Sequence, residues 1–251
     1  MIALSRATSA ELLKLKRTLA LWLAFITPLA IVGLMFAATL TQRDVASPDV
    51  NGWDGFTRII FLLWGLLMLP LFITLETALL SELESAEKHW KHLFALPIPR
   101  SAIYIAKLLV GAGLIALSSI VLWCGILLAG YSLRWLKPGF GFEVSIPWGE
   151  TLQMAVFTYL AAWFILAFHT WLSLRWRSFT LSVGFGMIAT VVGVFFTISS
   201  ERWASFYPWM FPSMAMSKDG TVVLQVVMLG IIGGIIVTIA GCWDMIHQDV
   251  L

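Results

Sequence analysis

The chain has 251 residues, of which 60% are hydrophobic and 12% charged, with a mean hydropathy of +0.91. That length would suit one or two soluble domains, but runs of about twenty uncharged residues exclude the class: at about 1.5 Å per helical residue they match the roughly 30 Å apolar core of a bilayer. The formal net charge of +2 says little in its total and more in its distribution.

Ahead of the first apolar run, SAELLKLKRTL predicts a short amphipathic helix over residues 8–20. Leu12, Leu15 and Leu19 form one stripe, Glu11, Lys14 and Arg17 lie away from it, and Lys16 has to snorkel. Such a helix belongs in the cytosolic membrane interface; read more plainly, the same residues are a basic topology signal. Six apolar runs of helical length follow: Leu21–Leu40, Ile59–Leu80, Ala102–Gly130, Thr151–Leu172, Thr180–Ser199 and Thr221–Trp243. Alternation every second residue is absent, which argues against an outer-membrane barrel. The first run is long for a signal segment, and Thr39 to Thr41 offers no small-residue cleavage pattern, so it is read as an uncleaved span.

Between the second and third runs lies a charged island, SELESAEKHWKHLFALPIPR, Ser81 to Arg100, with three Glu, two Lys, two His and one Arg. Leu83, Ala86, Trp90, Leu93 and Phe94 share one helical face. Glu84 precedes Lys88 and Glu87 precedes Lys91 in the favourable i,i+4 order, worth about 0.3 kcal/mol each. Ser81 with Glu84 matches a capping box, which predicts that a helix restarts at Ser81. Pro97 ends it, and a new helix begins near Ser101. A loop that only reverses the chain needs no such ordered amphipathic helix; this one is shaped to be gripped from water.

Two later loops, Tyr131–Glu150 and Glu201–Gly220, are too aromatic for solvated linkers and too broken by Pro and Gly to span. They are expected to fold back onto the outer membrane surface. With the N-terminus in the cytosol, ten Lys and Arg fall inside and six outside, which places both termini in the cytosol. Ten of the thirteen tryptophans fall near membrane edges: Trp22, Trp90, Trp171, Trp176 and Trp243 inside, Trp53, Trp135, Trp148, Trp203 and Trp209 outside. Cys124 and Cys242 fall on opposite sides of the predicted membrane, which argues against a disulfide or a metal site.

The sequence carries no HExxH, no GxSxG and no G-x-x-x-x-G-K-[ST], so no hydrolase motif and no phosphate-cradling loop of its own. The ionisable groups Glu76, Lys107, His169 and Asp244 each lie toward the cytosolic end of a predicted span. The middle and outer halves of those spans hold no Asp, Glu, Lys or Arg, so an ion-driven cycle has no evident carrier. For Glu76 an interfacial cap or pair, and for His169 an interhelical hydrogen bond, are the simpler readings. Energy for transport would then come from a separate ATPase.

Three segments carry a resemblance. ELLKLKRTLALW with Pro28, EKHWKHLFALPIPRSAIYIAKLL with Trp90, Lys91, Pro97, Arg100, Tyr104 and Lys107, and YPWMFP from Tyr207 to Pro212 together resemble an ABC-2 type permease subunit, closest to the lantibiotic-immunity and antimicrobial-peptide exporter branch. The resemblance implies an all-α integral membrane fold of the type V exporter kind, one transmembrane domain over residues 1–251. The N-terminal helix would be its elbow helix and the helix between spans two and three its coupling helix. It further implies two cytosolic ATPase subunits, a second permease as homodimer or sibling heterodimer, a bacterial cytoplasmic membrane, no nucleic acid, and no cofactor in this chain, ATP and magnesium residing on the ATPase. ATPase coupling would fall to Glu84, Glu87, Lys88, Trp90, Lys91, Leu93, Phe94 and Arg100. An outer aromatic gate would comprise Trp203, Tyr207, Pro208, Trp209 and Pro212, in re-entrant or extracellular helices before span six that cap the path. The implied function is export of an amphipathic or hydrophobic substrate, with an antimicrobial peptide favoured over drugs or lipids. The alternatives are a non-transporting sensor or assembly partner, and an intramembrane enzyme built on His169 or Glu76.

Overall fold

The structure, a computed structural model, describes residues 2–15, 18–42, 51–85, 99–176, 178–199 and 201–247. Among these the regular structure is entirely helical. Six helices are long and apolar enough to cross a membrane: Leu19–Thr41, Gly52–Glu82, Arg100–Leu136, Trp148–Trp176, Phe179–Thr197 and Gly220–His247, hereafter spans one to six. They enclose five of the six apolar runs and all but the last two residues of the fifth, and most extend past them, because a helix continues into its polar flank until something caps it. Asn51 does so for span two, its side chain accepting from the Trp53 amide at 3.0 Å. Span two therefore starts earlier than expected and carries Asp54 and Arg58, ion-paired at 2.6 Å, so the far halves of the spans are not free of charge.

The ends of spans two, four and six meet the starts of spans three and five and the N-terminal helix, Ile2–Leu15, at one end of the bundle, called here the proximal end. The opposite, distal end carries the two aromatic loops. The N-terminal helix differs from its expectation in where it starts, at Ile2, and in Leu15, which leaves the expected stripe and turns inward. The helix is described from Ile2 to Leu15, and the side packed on span three is Ala7, Glu11 and Leu15, spaced four apart. Leu12, Leu13 and Leu19 are instead 51, 64 and 69% exposed. Burial of Glu11 against Lys107 sets this rotation, and it turns the leucines toward the surroundings, where lipid would receive them.

Spans two and four are both interrupted. In span two the segment Trp64–Met68 is a π-turn, with the Leu69 amide bonded back to the Trp64 carbonyl, just before Pro70, which has no N–H to give. Span four breaks at Ala162 into Trp148–Ala161 and Trp163–Trp176. Span six presses Gly230 and Gly234 into that break. A Cβ on Gly230 would stand 2.6 Å from the Ala161 carbonyl oxygen, and one on Gly234 3.0 Å from the Trp163 backbone. This is the small-residue approach that lets two helix backbones touch within a bilayer.

The loops also differ from expectation. The first covers the start of span two: the Gly52 amide donates to the Gly141 carbonyl at 3.1 Å, and Trp53 Nε1 donates to the Phe142 carbonyl at 3.2 Å. Phe142 stands edge-on to Trp53 and Phe56, so Trp53 is fully buried within the protein. The second loop does not rest on the surface. Its short helices, Glu201–Ala204, Pro208–Met210 and Phe211–Met214, enter the bundle between spans two, four and five. The slot exists because residue 65 is glycine: a Cβ there would stand 2.8 Å from the Pro212 carbonyl carbon.

Candidate functional site

The proximal end is held by polar contacts between elements far apart in sequence. Lys107 Nζ, from the first turns of span three, donates to Glu11 Oε2 at 3.0 Å and to the Leu80 carbonyl of span two at 3.0 Å. Lys14 donates to the other Glu11 oxygen at 2.7 Å. Burial pushes the Glu11 carboxyl up, but Lys107 and Lys14 together pull it below its ordinary value, so it remains a carboxylate. One contact set thus joins the N-terminal helix, the end of span two and the start of span three.

Ser81 continues the set. It lies inside the helix Leu69–Ser85 and donates its hydroxyl to the Ser173 carbonyl of span four at 2.9 Å. The expected helix restart and capping box at Ser81 are therefore absent: the hydroxyl that would cap a helix is buried against another span. The Ser173 and Ser182 hydroxyls share a hydrogen bond at 2.8 Å, which ties span four to span five. Asp244 of span six accepts from Trp171 Nε1 at 3.1 Å and faces Arg175 at 3.4 Å. Tyr104 packs with Leu174 and Met245 and gives its hydroxyl to the Ala167 carbonyl at 3.3 Å.

This collar frames the segment between Ser85 and Pro99, and span three begins at Arg100 with Pro99 as its cap. Of the sequence-predicted coupling residues, Arg100 is half-buried on the first turn of span three, and Glu84 lies on the last turn of the helix Leu69–Ser85 that carries span two to its end. Glu87, Lys88, Trp90, Lys91, Leu93 and Phe94 lie outside the described residues, as does Pro97.

The aromatic residues of the second loop divide. Trp203 remains 66% exposed, Tyr207 and Pro208 are half-buried, and Trp209 and Pro212 are buried inside the bundle. The Tyr207 hydroxyl donates to the Ala189 carbonyl of span five at 2.8 Å. The Trp209 ring packs against Phe164, Phe168, His169 and Phe185, its centroid 5.8 Å from that of His169 at an 84° interplanar angle. The group is thus partly inserted, a plug whose tip meets span four.

Two buried ionisable groups of the spans stand apart. His169 reaches Thr74 through Nε2 at 3.3 Å, and Nδ1 has no hydrogen-bond partner. The single Thr74 hydroxyl hydrogen is engaged by the Pro70 carbonyl at 2.8 Å, so the imidazole carries its hydrogen on Nε2. The Glu76 carboxyl is buried and makes no hydrogen bond in the described structure, which does not match an interfacial cap or pair. Among the described residues no three His, Cys, Asp or Glu side chains are grouped as metal ligands.

Sequence reasoning missed the Gly65 slot, the Gly230–Gly234 contact and the serine pair. The glycine spacing in span six was a visible signal, whereas nothing near Gly65 pointed to a partner almost 150 positions later. The model of the family described as ABC-2 family transporter protein matches residues 7–193. No curated protein and no solved structure matches the chain.

Proposed function

The chain belongs to the ABC-2 family of transporter proteins, the transmembrane components of ABC transporters that carry no ATP-binding cassette themselves, and on that premise we propose that it is an exporter permease moving an amphipathic or hydrophobic substrate, an antimicrobial peptide in the favoured case. Its ATPase partner sits at the proximal end, which faces the cytosol of a bacterial cell. Two permeases, identical or siblings, pair above two ATPase subunits.

The observation that carries this reading is the collar. A push on the segment after Ser85 reaches span two through its own backbone and span three through Arg100. Lys107 holds both to the N-terminal helix, and Ser81 carries the load to span four. Closure of the ATPase dimer on ATP would therefore displace several spans at once rather than bend one loop. In this reading Trp90, Leu93 and Phe94 fill an apolar groove of the ATPase, while Glu84, Glu87, Lys88 and Lys91 set its register. Opening toward the distal side would shift spans two and four around the plug formed by Tyr207, Trp209 and Pro212.

The peptide preference is supported by the apolar, aromatic distal half, which offers contact to an amphiphile and no chain of ionisable groups for an ion. Cells with and without the permease and its ATPase, challenged with a panel of antimicrobial peptides, test it. The expected result is greater susceptibility to at least one peptide in cells lacking the pair. Equal susceptibility across the panel overturns the peptide assignment.

A further inference from the structure

Around the distal end of span two, two grooves meet at one side chain. A cavity of about 750 Å³ lies between Gly55, Arg58 and Leu62 of span two, the plug and Val222 of span six. A second, of about 600 Å³, runs between spans four and six along Phe157 and Val227. Both are lined by Arg58, Met216 and Ser217. Each has the size and mainly apolar walls of a small-molecule site with a few polar groups at one level.

The two polar residues common to both grooves, Arg58 and Ser217, have donors to spare. Arg58 uses Nε on Asp54 at 2.6 Å, and the rest of its guanidinium makes no hydrogen bond in the described structure. Ser217 Oγ accepts from the Asp219 amide at 3.1 Å, which leaves its hydroxyl hydrogen free to donate. In the second groove Lys218 and Glu150 balance each other in charge, as Arg58 and Asp54 do, so what the site offers an anion is the spare N–H groups of Arg58. A partly buried guanidinium with spare N–H groups beside a hydroxyl donor matches a carboxylate or phosphate, and the walls below match a hydrocarbon chain.

The geometry points to a seat for a single-chain amphiphile with an anionic head, carboxylate or phosphate, held by Arg58 and Ser217 with its chain lying along Ile59, Leu62 or Phe157. Asp54 is its built-in competitor, occupying one donor of Arg58. The site relies on the family reading only for its place in a bilayer. It is assayed without the ATPase, so loss of coupling and loss of this site are separate results.

The test titrates the purified chain in dodecyl maltoside with 11-(dansylamino)undecanoate, reading saturable energy transfer from tryptophan. Decanoate and decyl phosphate should displace the probe, the stronger of the two identifying the preferred head, whereas decanol should not. Arg58→Gln should weaken binding about tenfold or more, in line with loss of a charge-assisted contact. Arg58→Lys should fall between, and Asp54→Asn should tighten binding. Equal displacement by decanol, or no saturable signal, overturns the site. So does Asp54→Asn binding no tighter than wild type, a result that stands even where Arg58→Gln fails to fold.

Discussion

Glu11 and Lys107, 96 positions apart, meet at 3.0 Å with both side chains almost fully buried. A charge pair so placed is a poor source of net stability but a strict condition on geometry, because each partner has given up its hydration and loses a close opposite charge when the other is removed. Glu11→Gln is therefore expected to cost about 3–5 kcal/mol, and Glu11→Gln with Lys107→Met to recover most of it. Unfolding of the purified chain in detergent, followed by circular dichroism, measures both. A double variant no more stable than the single one would show that the pair does not fix this contact.

The same carboxyl gives a pH dependence. Its folded value lies below the ordinary 4.5, so the unfolded chain binds the proton more readily. The contribution is present above that ordinary value and is lost as pH falls through the lowered one. The difference in stability between wild type and the double variant lacking both charges should shrink in that acidic window and stay flat near neutrality. Detergent unfolding in a pH series reads this directly.

Trp209 is expected to answer differently to two substitutions. Its ring fills a buried aromatic cluster, yet its Nε1 has no partner. Trp209→Ala should cost about 3–5 kcal/mol as a cavity, whereas Trp209→Phe removes an unsatisfied donor and should cost much less. Comparable losses would place the ring's value in a hydrogen bond rather than in packing.

Gly65→Val should expel the plug, since even a Cβ would meet Pro212 at 2.8 Å. Ser213→Cys, buried at the plug in the wild type, should be slow to react with a water-soluble thiol reagent. It should react fast in the Gly65→Val background, with Cys124 and Cys242 replaced by serine in both. Equal labelling would mean that the plug does not depend on the slot.

What was legible in the sequence was what hydropathy can register. Six apolar runs gave six spans, and the helix start expected near Ser101 lies one residue from Arg100, where the third begins. What hydropathy cannot register is which face of a helix is turned inward. Leu12, Leu15 and Leu19 read as one membrane-facing stripe, but a bilayer takes leucine as readily as a core does, so hydropathy could not show that Leu15 turns inward with Glu11 once Lys107 stands opposite it. The capping box at Ser81 failed for a related reason: a serine beside an apolar span is equally able to bond a neighbouring span's carbonyl. The plug was hidden because its slot is made by one glycine and a π-turn, neither of which leaves a periodic trace.

The central claim is that an ATPase drives this permease through the segment between Ser85 and Pro99. The direct measurement is the ATP hydrolysis rate of the partner ATPase reconstituted with wild-type permease and with Trp90→Ala/Phe94→Ala, with membrane insertion checked by protease protection. Loss of most of the permease-dependent stimulation, with all six spans still inserted, is the predicted result. A double variant that copurifies with the ATPase and stimulates it fully would contradict the account.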